Sequence, residues 1–249
     1  MSIIVENVSK SFGEKLVLNG VDLRVEDGET LAVIGASGVG KSVLLKTIVH
    51  LLPPDTGRVL VDGEEVGLLR REALYALRRR VGYVFQFAAL FDSMTVYDNV
   101  AMGLRREGTM SEPEIRERVL ESLRRVDLTG LERRLPAQIS GGQRKRAGLA
   151  RAIATHPKYL LYDEPTSGLD PIMTAVIDAL ILKMARELGV TSVVVTHDMK
   201  SAYEVADRIA LLHLGGIRVV GTPEEIRATE DPVVRAFIEG RPELAQEAA

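Results

Sequence analysis

Apolar positions along the chain fall into two alternating patterns. Short β-branched runs, Ile3 to Val8, Val21 to Val25, Thr30 to Ile34, Val81 to Phe85, Tyr159 to Tyr162, Ser192 to Thr196 and Ile209 to Leu212, have the length of buried strands. Lys41 to Leu51, stopped by Pro53-Pro54, reads as a helix, as do Pro171 to Leu188 and Met199 to Ala206. Arg58 to Val61 and the segment around Val66 read as a small antiparallel piece turning at Asp62-Gly63. From about Thr95 to Thr155 the pattern is helical. Strand–helix alternation predicts a mostly parallel sheet covered on both faces. The expected fold is α/β in a single domain over 1–249. Its α/β core spans 1–86 and 159–249 and carries the β piece. A helical lobe is inserted at about 87–158.

Composition narrows the class. With 46% hydrophobic and 27% charged residues, the chain is neither collagen-like nor disordered. The longest charge-free runs, Thr30 to Gly40 and Val81 to Phe91, are eleven residues, about half of what a spanning helix needs. There is no cysteine, and MSIIVE lacks the look of a secretory leader. These features predict a cytoplasmic address. A net charge of −3 predicts no nucleic-acid partner. Charge is uneven, however: Ala101 to Lys158 holds 13 basic and 7 acidic residues. That excess suits either a solvated arginine-rich surface or one facing anionic lipid. The stretch from Thr222 is acidic, with a helix expected over Pro232 to Glu239 and a frayed tail after it.

The candidate chemistry begins at GASGVGKS. Gly35, Ala36, Ser37, Gly38, Val39, Gly40, Lys41 and Ser42 match the phosphate-loop pattern between a strand and a helix. Glycines let backbone N–H groups wrap phosphate, and the helix start adds a positive dipole end. Lys41 is expected at the β- and γ-phosphates of a nucleotide and the Ser42 hydroxyl at Mg²⁺. LLYDE then places Asp163 at the end of a buried strand, suited to hold Mg²⁺, and Glu164 next to it, suited to polarise a water. Together these segments predict a nucleoside triphosphatase.

ISGGQRKRAGLARA, Ile139 to Ala152, closely resembles the signature of ATP-binding-cassette ATPases, with Ile139 where leucine is usual. The resemblance covers nearly the whole chain. It implies a phosphate-loop triphosphatase fold and adenine stacking on Phe12. It makes Gln86 a sensor of Mg²⁺ and water, and Asp170 in SGLD part of the loop through which two cassettes communicate. It makes His197 the switch histidine, and Ser140, Gly141, Gly142 and Gln143 a signature that acts on the ATP of a second copy. Val43 stands where a hydroxyl usually touches the α-phosphate; losing one neutral hydrogen bond costs roughly 0.5–1.5 kcal/mol.

GKSVLL and FQFAALFDSMTVYDNVAMGLR are similar to the ATPases of Mla/Mce-type phospholipid transporters. That likeness implies permease subunits, a periplasmic lipid-binding subunit, and a peripheral position on the cytoplasmic face of the inner membrane. Other cargo (amino acids, metal complexes, drugs) and a soluble role in DNA repair or translation are the alternatives.

Overall fold

The computed structural model describes residues 2–241. Two strands open the chain, β1 (Ile3–Phe12) and β2 (Lys15–Val25), followed by β3 (Thr30–Ile34) and helix α1 (Lys41–Ile48). Strands β4 (Thr56–Val61) and β5 (Glu64–Glu65), helix α2 (Arg71–Arg79) and β6 (Val81–Val84) come next. Three helices follow, α3 (Val96–Glu107), α4 (Glu112–Arg125) and α5 (Gly141–Ile153). The chain then returns through β7 (Tyr159–Asp163), α6 (Pro171–Leu188), β8 (Thr191–Thr196), α7 (Met199–Val205) and β9 (Arg208–His213). It closes with β10 (Gly216–Gly221), α8 (Pro223–Ala228) and α9 (Pro232–Ile238). The expected frayed tail lies outside the described residues.

The larger sheet has the order β10-β9-β3-β8-β7-β6, parallel except for β10. The smaller sheet, β2-β1-β4-β5, is antiparallel. Strand alternation explains how the larger sheet is covered. Leu31 and Val33 pack into the cluster holding α1 and the small sheet, whereas Ala32 and Ile34 pack with Ala202 and Val234 on the opposite face. Along β7, Tyr159 and Leu161 join the first cluster while Leu160 and Tyr162 join α3 to α6.

Local signals set the element ends. Asp62 and Gly63 have φ of 55° and 81°, the paired positive angles of a tight hairpin turn. Ser111 and Ser140 close capping boxes with Glu114 and Gln143, and Asp170 caps α6 ahead of Pro171.

Several expectations shift. Strand β2 begins at Lys15 rather than Val21, because its first half pairs with β1 although Lys15, Leu16 and Asn19 stay exposed and only Leu18 is buried. Helix α1 ends at Ile48, with Val49 as its cap, short of Leu51. The β piece ends at Glu65, and Val66 starts a 3₁₀ turn. Helix α2 and strand β10 go beyond the expected elements; α2 has only a short apolar stripe, in which Leu77 is buried and Leu74 partly buried against the core.

Candidate nucleotide and catalytic site

The parallel strands β3, β7 and β8 end side by side, and their last residues and the loops that follow carry the site. After β3 the chain wraps into α1 through Gly35 to Gly40. A Cβ on Gly35 would lie 2.5 Å from the Leu212 carbonyl oxygen. Gly40 has φ of 116°, and a Cβ there would lie 3.0 Å from the Val17 carbonyl oxygen. Only glycine fits these two positions. Gly38, also at positive φ, faces open space. No side chain caps the start of α1, so its first N–H groups are available to an anion. Ala36 and Ser37 are exposed on the same loop, while Val39 and Val43 pack against the cluster behind it.

Lys41 is buried and its Nζ donates to Gly35 O at 2.8 Å and Ala36 O at 3.1 Å. It also lies 3.2 Å from Glu164 Oε1. The other carboxylate oxygen, Glu164 Oε2, meets His197 Nδ1 at 2.8 Å. Beside this trio, Ser42 Oγ donates to Asp163 Oδ1 at 2.5 Å, and Tyr83 OH donates to Asp163 Oδ2 at 3.1 Å. Burial, with the Asp163 carboxylate beside it, pushes the Tyr83 phenol well up, so it stays a donor. Glu164 itself has φ of 48°, and its N–H donates to Val195 O at 3.0 Å. A bulky residue in the left-handed region is a departure that packing must hold in place.

Five residues from three parts of the sequence therefore form one cluster: Lys41, Ser42, Asp163, Glu164 and His197. Gln86 is not brought to the Ser42–Asp163 pair; its Nε2 donates to Ser167 Oγ at 3.4 Å. Phe12 ends β1 half-exposed, with Lys10 Nζ 5.8 Å from its ring centroid. Asp170 Oδ1 accepts from the Ile172 and Met173 N–H groups as the cap of α6.

The signature turn is organised on itself. Ser140 Oγ accepts from Gln143 N, and Gln143 Oε1 accepts from Ser140 N at 2.8 Å. Ser140 and Gly141 are exposed. Gly142 lies against α6, where a Cβ would come within 2.5 Å of Met173 Cε.

The donor set fits ATP and Mg²⁺. A glycine-walled loop, an uncapped helix start and a buried ammonium suit a polyphosphate, and the Ser42 and Asp163 oxygens suit a hard divalent cation. The ABC transporter family matches residues 18–167 of the chain.

The chain belongs to the ABC transporter family. Among relatives of this ABC ATPase is the probable ribonucleotide transport ATP-binding protein mkl of Mycobacterium leprae (strain TN), 41% identical over 97% of this chain and 70% of that protein. Another is the sulfate/thiosulfate import ATP-binding protein CysA 1 of Chromobacterium violaceum, 46% identical over 91% of this chain and 63% of that one. Among solved structures, the dimeric post-hydrolysis ATP-binding cassette MJ0796, bound to ADP and Pi, superposes with a TM-score of 0.81 at 35% identity, over 89% of this chain and 98% of the other. Clostridium perfringens cbiO1, part of the ABC transporter complex cbiONQ, gives 0.83 at 31% identity, over 98% and 97%. The fold expectation stands, as does ATP hydrolysis with Mg²⁺. These relatives are named for ribonucleotide and for sulfate or thiosulfate transport, not for phospholipid transport.

Three residues that no motif marks, Tyr83, Lys145 and Arg151, also belong to the site. Lys145 Nζ donates to Glu164 O at 3.3 Å. Arg151 donates to Ala88 O and Ala89 O at 2.7 and 2.6 Å, holding two non-glycine residues at positive φ just after Gln86. A tyrosine on the same face of β6 as Val81 was a possible signal; nothing local marks the two basic residues among their neighbours.

Proposed function

We propose that two copies of this chain drive an ABC transporter, each ATP lying between the phosphate loop of one copy and Ser140, Gly141, Gly142 and Gln143 of the other. One observation carries this reading: a connected catalytic cluster and a signature turn whose bonds close on themselves occur in the same chain. The dimer of MJ0796 supports it.

Lys41 leaves the loop carbonyls and Glu164 to meet phosphate charge, which frees the Glu164 carboxylate. Glu164 then orients a water toward the γ-phosphate, and His197 holds the other carboxylate oxygen. Ser42 and Asp163 would hold the Mg²⁺, with Gln86 reaching them once it leaves Ser167. A Mg²⁺ held there would supply positive charge against the phosphates. Phe12 stacks on the base, a contact that tolerates base identity.

No helix among the described residues is long and apolar enough to cross a membrane, so cargo movement needs membrane subunits. Phe87 and Phe91 are exposed just beyond Gln86 and offer them an apolar foothold on the cytoplasmic face. For cargo, the relatives' names support movement of an anionic solute: import of sulfate or thiosulfate, or transport of a ribonucleotide. A second reading, phospholipid movement with a periplasmic lipid-binding subunit, rests on Val43 and the ALFDSMTV stretch after Gln86. Purifying the chain from its native membranes and identifying the co-purified subunits tests both. A solute-binding importer supports the first; a membrane-anchored lipid-binding subunit overturns it in favour of the second.

A further inference from the structure

Lys145 sits on α5 five residues after Ser140, roughly 7 Å along the helix axis at 1.5 Å per residue. Its stem lines a small apolar cavity with Val84, Phe85, Leu149, Tyr162, Pro165 and Ile177. Half-burial there pushes the ammonium pKa down, with the Glu164 charge opposing. Desolvating a cation is costly, yet the acceptor it reaches is a backbone carbonyl, Glu164 O. That same carbonyl accepts from Ser167 N at 3.2 Å. Glu164 is thereby fixed at three points: N–H to Val195, carbonyl to Lys145 and Ser167, carboxylate between Lys41 and His197. Its left-handed backbone makes the side chain's aim sensitive to each of them. Of the five anchoring residues, Val195, Ser167 and His197 belong to the core sheet and the loops after its strands, and Lys41 opens α1. Lys145 alone belongs to the helix that begins at the signature.

We propose that Lys145 is a positioning residue that ties the placement of α5 to the aim of Glu164. When a second copy's nucleotide draws the Ser140 end of α5 into register, the Lys145 hydrogen bond sets the Glu164 backbone for turnover. The Lys145 hydrogen bond is already made in the single chain, so any movement of the Ser140 end of α5 is passed to Glu164 through a contact that is in place. The inference rests on the proposed roles of Glu164 and of the signature.

The test uses the full chain in three forms beside wild type. Lys145→Met keeps the apolar stem and removes the donor. Lys145→Arg keeps a donor. Glu164→Gln reports on the underlying site. The expected result is a kcat at least tenfold lower for Lys145→Met, with KM for ATP and nucleotide affinity within twofold. Lys145→Arg should recover to within threefold of wild type, and both variants should keep the wild-type Tm within a few degrees. A Lys145→Met kcat within twofold of wild type, while Glu164→Gln is inactive, overturns this inference and leaves the site reading intact. Equal loss in Met and Arg variants, with KM changed as well, assigns Lys145 to packing and also overturns it. Should Lys145→Met not fold, Lys145→Gln takes its place, a shorter side chain that loses reach; unchanged turnover there is equally fatal. Turnover by Glu164→Gln at the wild-type rate would instead remove the site reading itself.

Discussion

The end of the parallel sheet and the start of α5 are both built around short polar residues, yet they are organised in opposite ways. At the sheet end, Lys41, Asp163 and Glu164 are buried and bonded to groups far off in sequence. At the start of α5, Ser140 and Gln143 are bonded to each other and Ser140 faces solvent. Burying charges is tolerable only with partners in place, so the first region is assembled within one chain. The second has satisfied its own backbone and holds its hydroxyl at the surface. The contrast separates a half-site complete in the monomer from one that needs a second surface to act on.

The largest effects should come from the assembled half. Glu164→Gln preserves size while removing the carboxylate, and turnover in the working complex should fall about 10²–10⁴-fold. Steady-state phosphate release checks it; wild-type hydrolysis would remove Glu164 from the chemistry. Lys41→Ala should lower turnover about 10²–10³-fold and, unlike Glu164→Gln, abolish ATP binding as read by titration. Because Lys41 also neutralises Glu164 in the fold, this variant should be less stable as well.

The second half should behave differently. Ser140→Arg sets bulk and charge at the exposed turn, so hydrolysis by paired chains should be lost while a single chain binds ATP within about twofold of wild type. Equal damage to binding would mean that the turn belongs to the chain's own nucleotide. Phe12→Ala lies between the two cases: stacking is worth about 1–3 kcal/mol per base, so ATP affinity should fall several-fold to about a hundredfold, with kcat kept. GTP should compete measurably in the parent.

The smallest effect lies on α6. Asp178 is buried, with Oδ2 accepting from Ser201 Oγ at 2.9 Å and Oδ1 without a partner. Burial pushes its pKa up to about 6, while the Ser201 hydrogen bond and Lys200 oppose and Asp198 and Glu204 add to the rise. Between the ordinary carboxylate range and about pH 6 the folded chain holds a proton that the unfolded chain releases. This contribution is complete at low pH and is lost as pH rises through 6. Relative to wild type, Asp178→Asn should gain about 1 kcal/mol between pH 5 and 7.5 in urea unfolding. An unchanged difference across that range would show that Asp178 titrates normally.

The two regions also differ in how far the sequence revealed them. GASGVGKS between a strand and a helix, and LLYDE at a strand end, announce phosphate and metal chemistry without any structure. Strands β3, β7 and β8 were legible because both faces are buried and their residues form unbroken apolar runs. Lys15 to Gly20 was not, because half of its pairing positions face solvent and the run carries no clean alternation. Strand β10 begins and ends on glycine, and α2 buries a single side chain. The signature was legible as a turn with a cap, but its helix conceals what the arginines do. Arg144, Arg146 and Arg151 donate to backbone carbonyls of Ile139, Val126, Asp127, Ala88 and Ala89. Arg105 and Arg125 are each paired with two acids. Much of the basic excess of this region is therefore spent inside the chain, which no local pattern discloses. Lys145 and Tyr83 were hidden for the same reason: their partners are set by how α5 and β6 come to lie against the end of β7.

The most direct test of a half-site that needs a second copy is the mass of Glu164→Gln in ATP and Mg²⁺ by light scattering, with the membrane subunits present if the isolated chain does not pair. The account predicts a closed dimer of about twice the 27.3 kDa chain, and its loss when Ser140→Arg is added while ATP remains bound. A doubly substituted protein that still pairs around ATP would contradict the account, because the signature would then not be what faces the partner's phosphate.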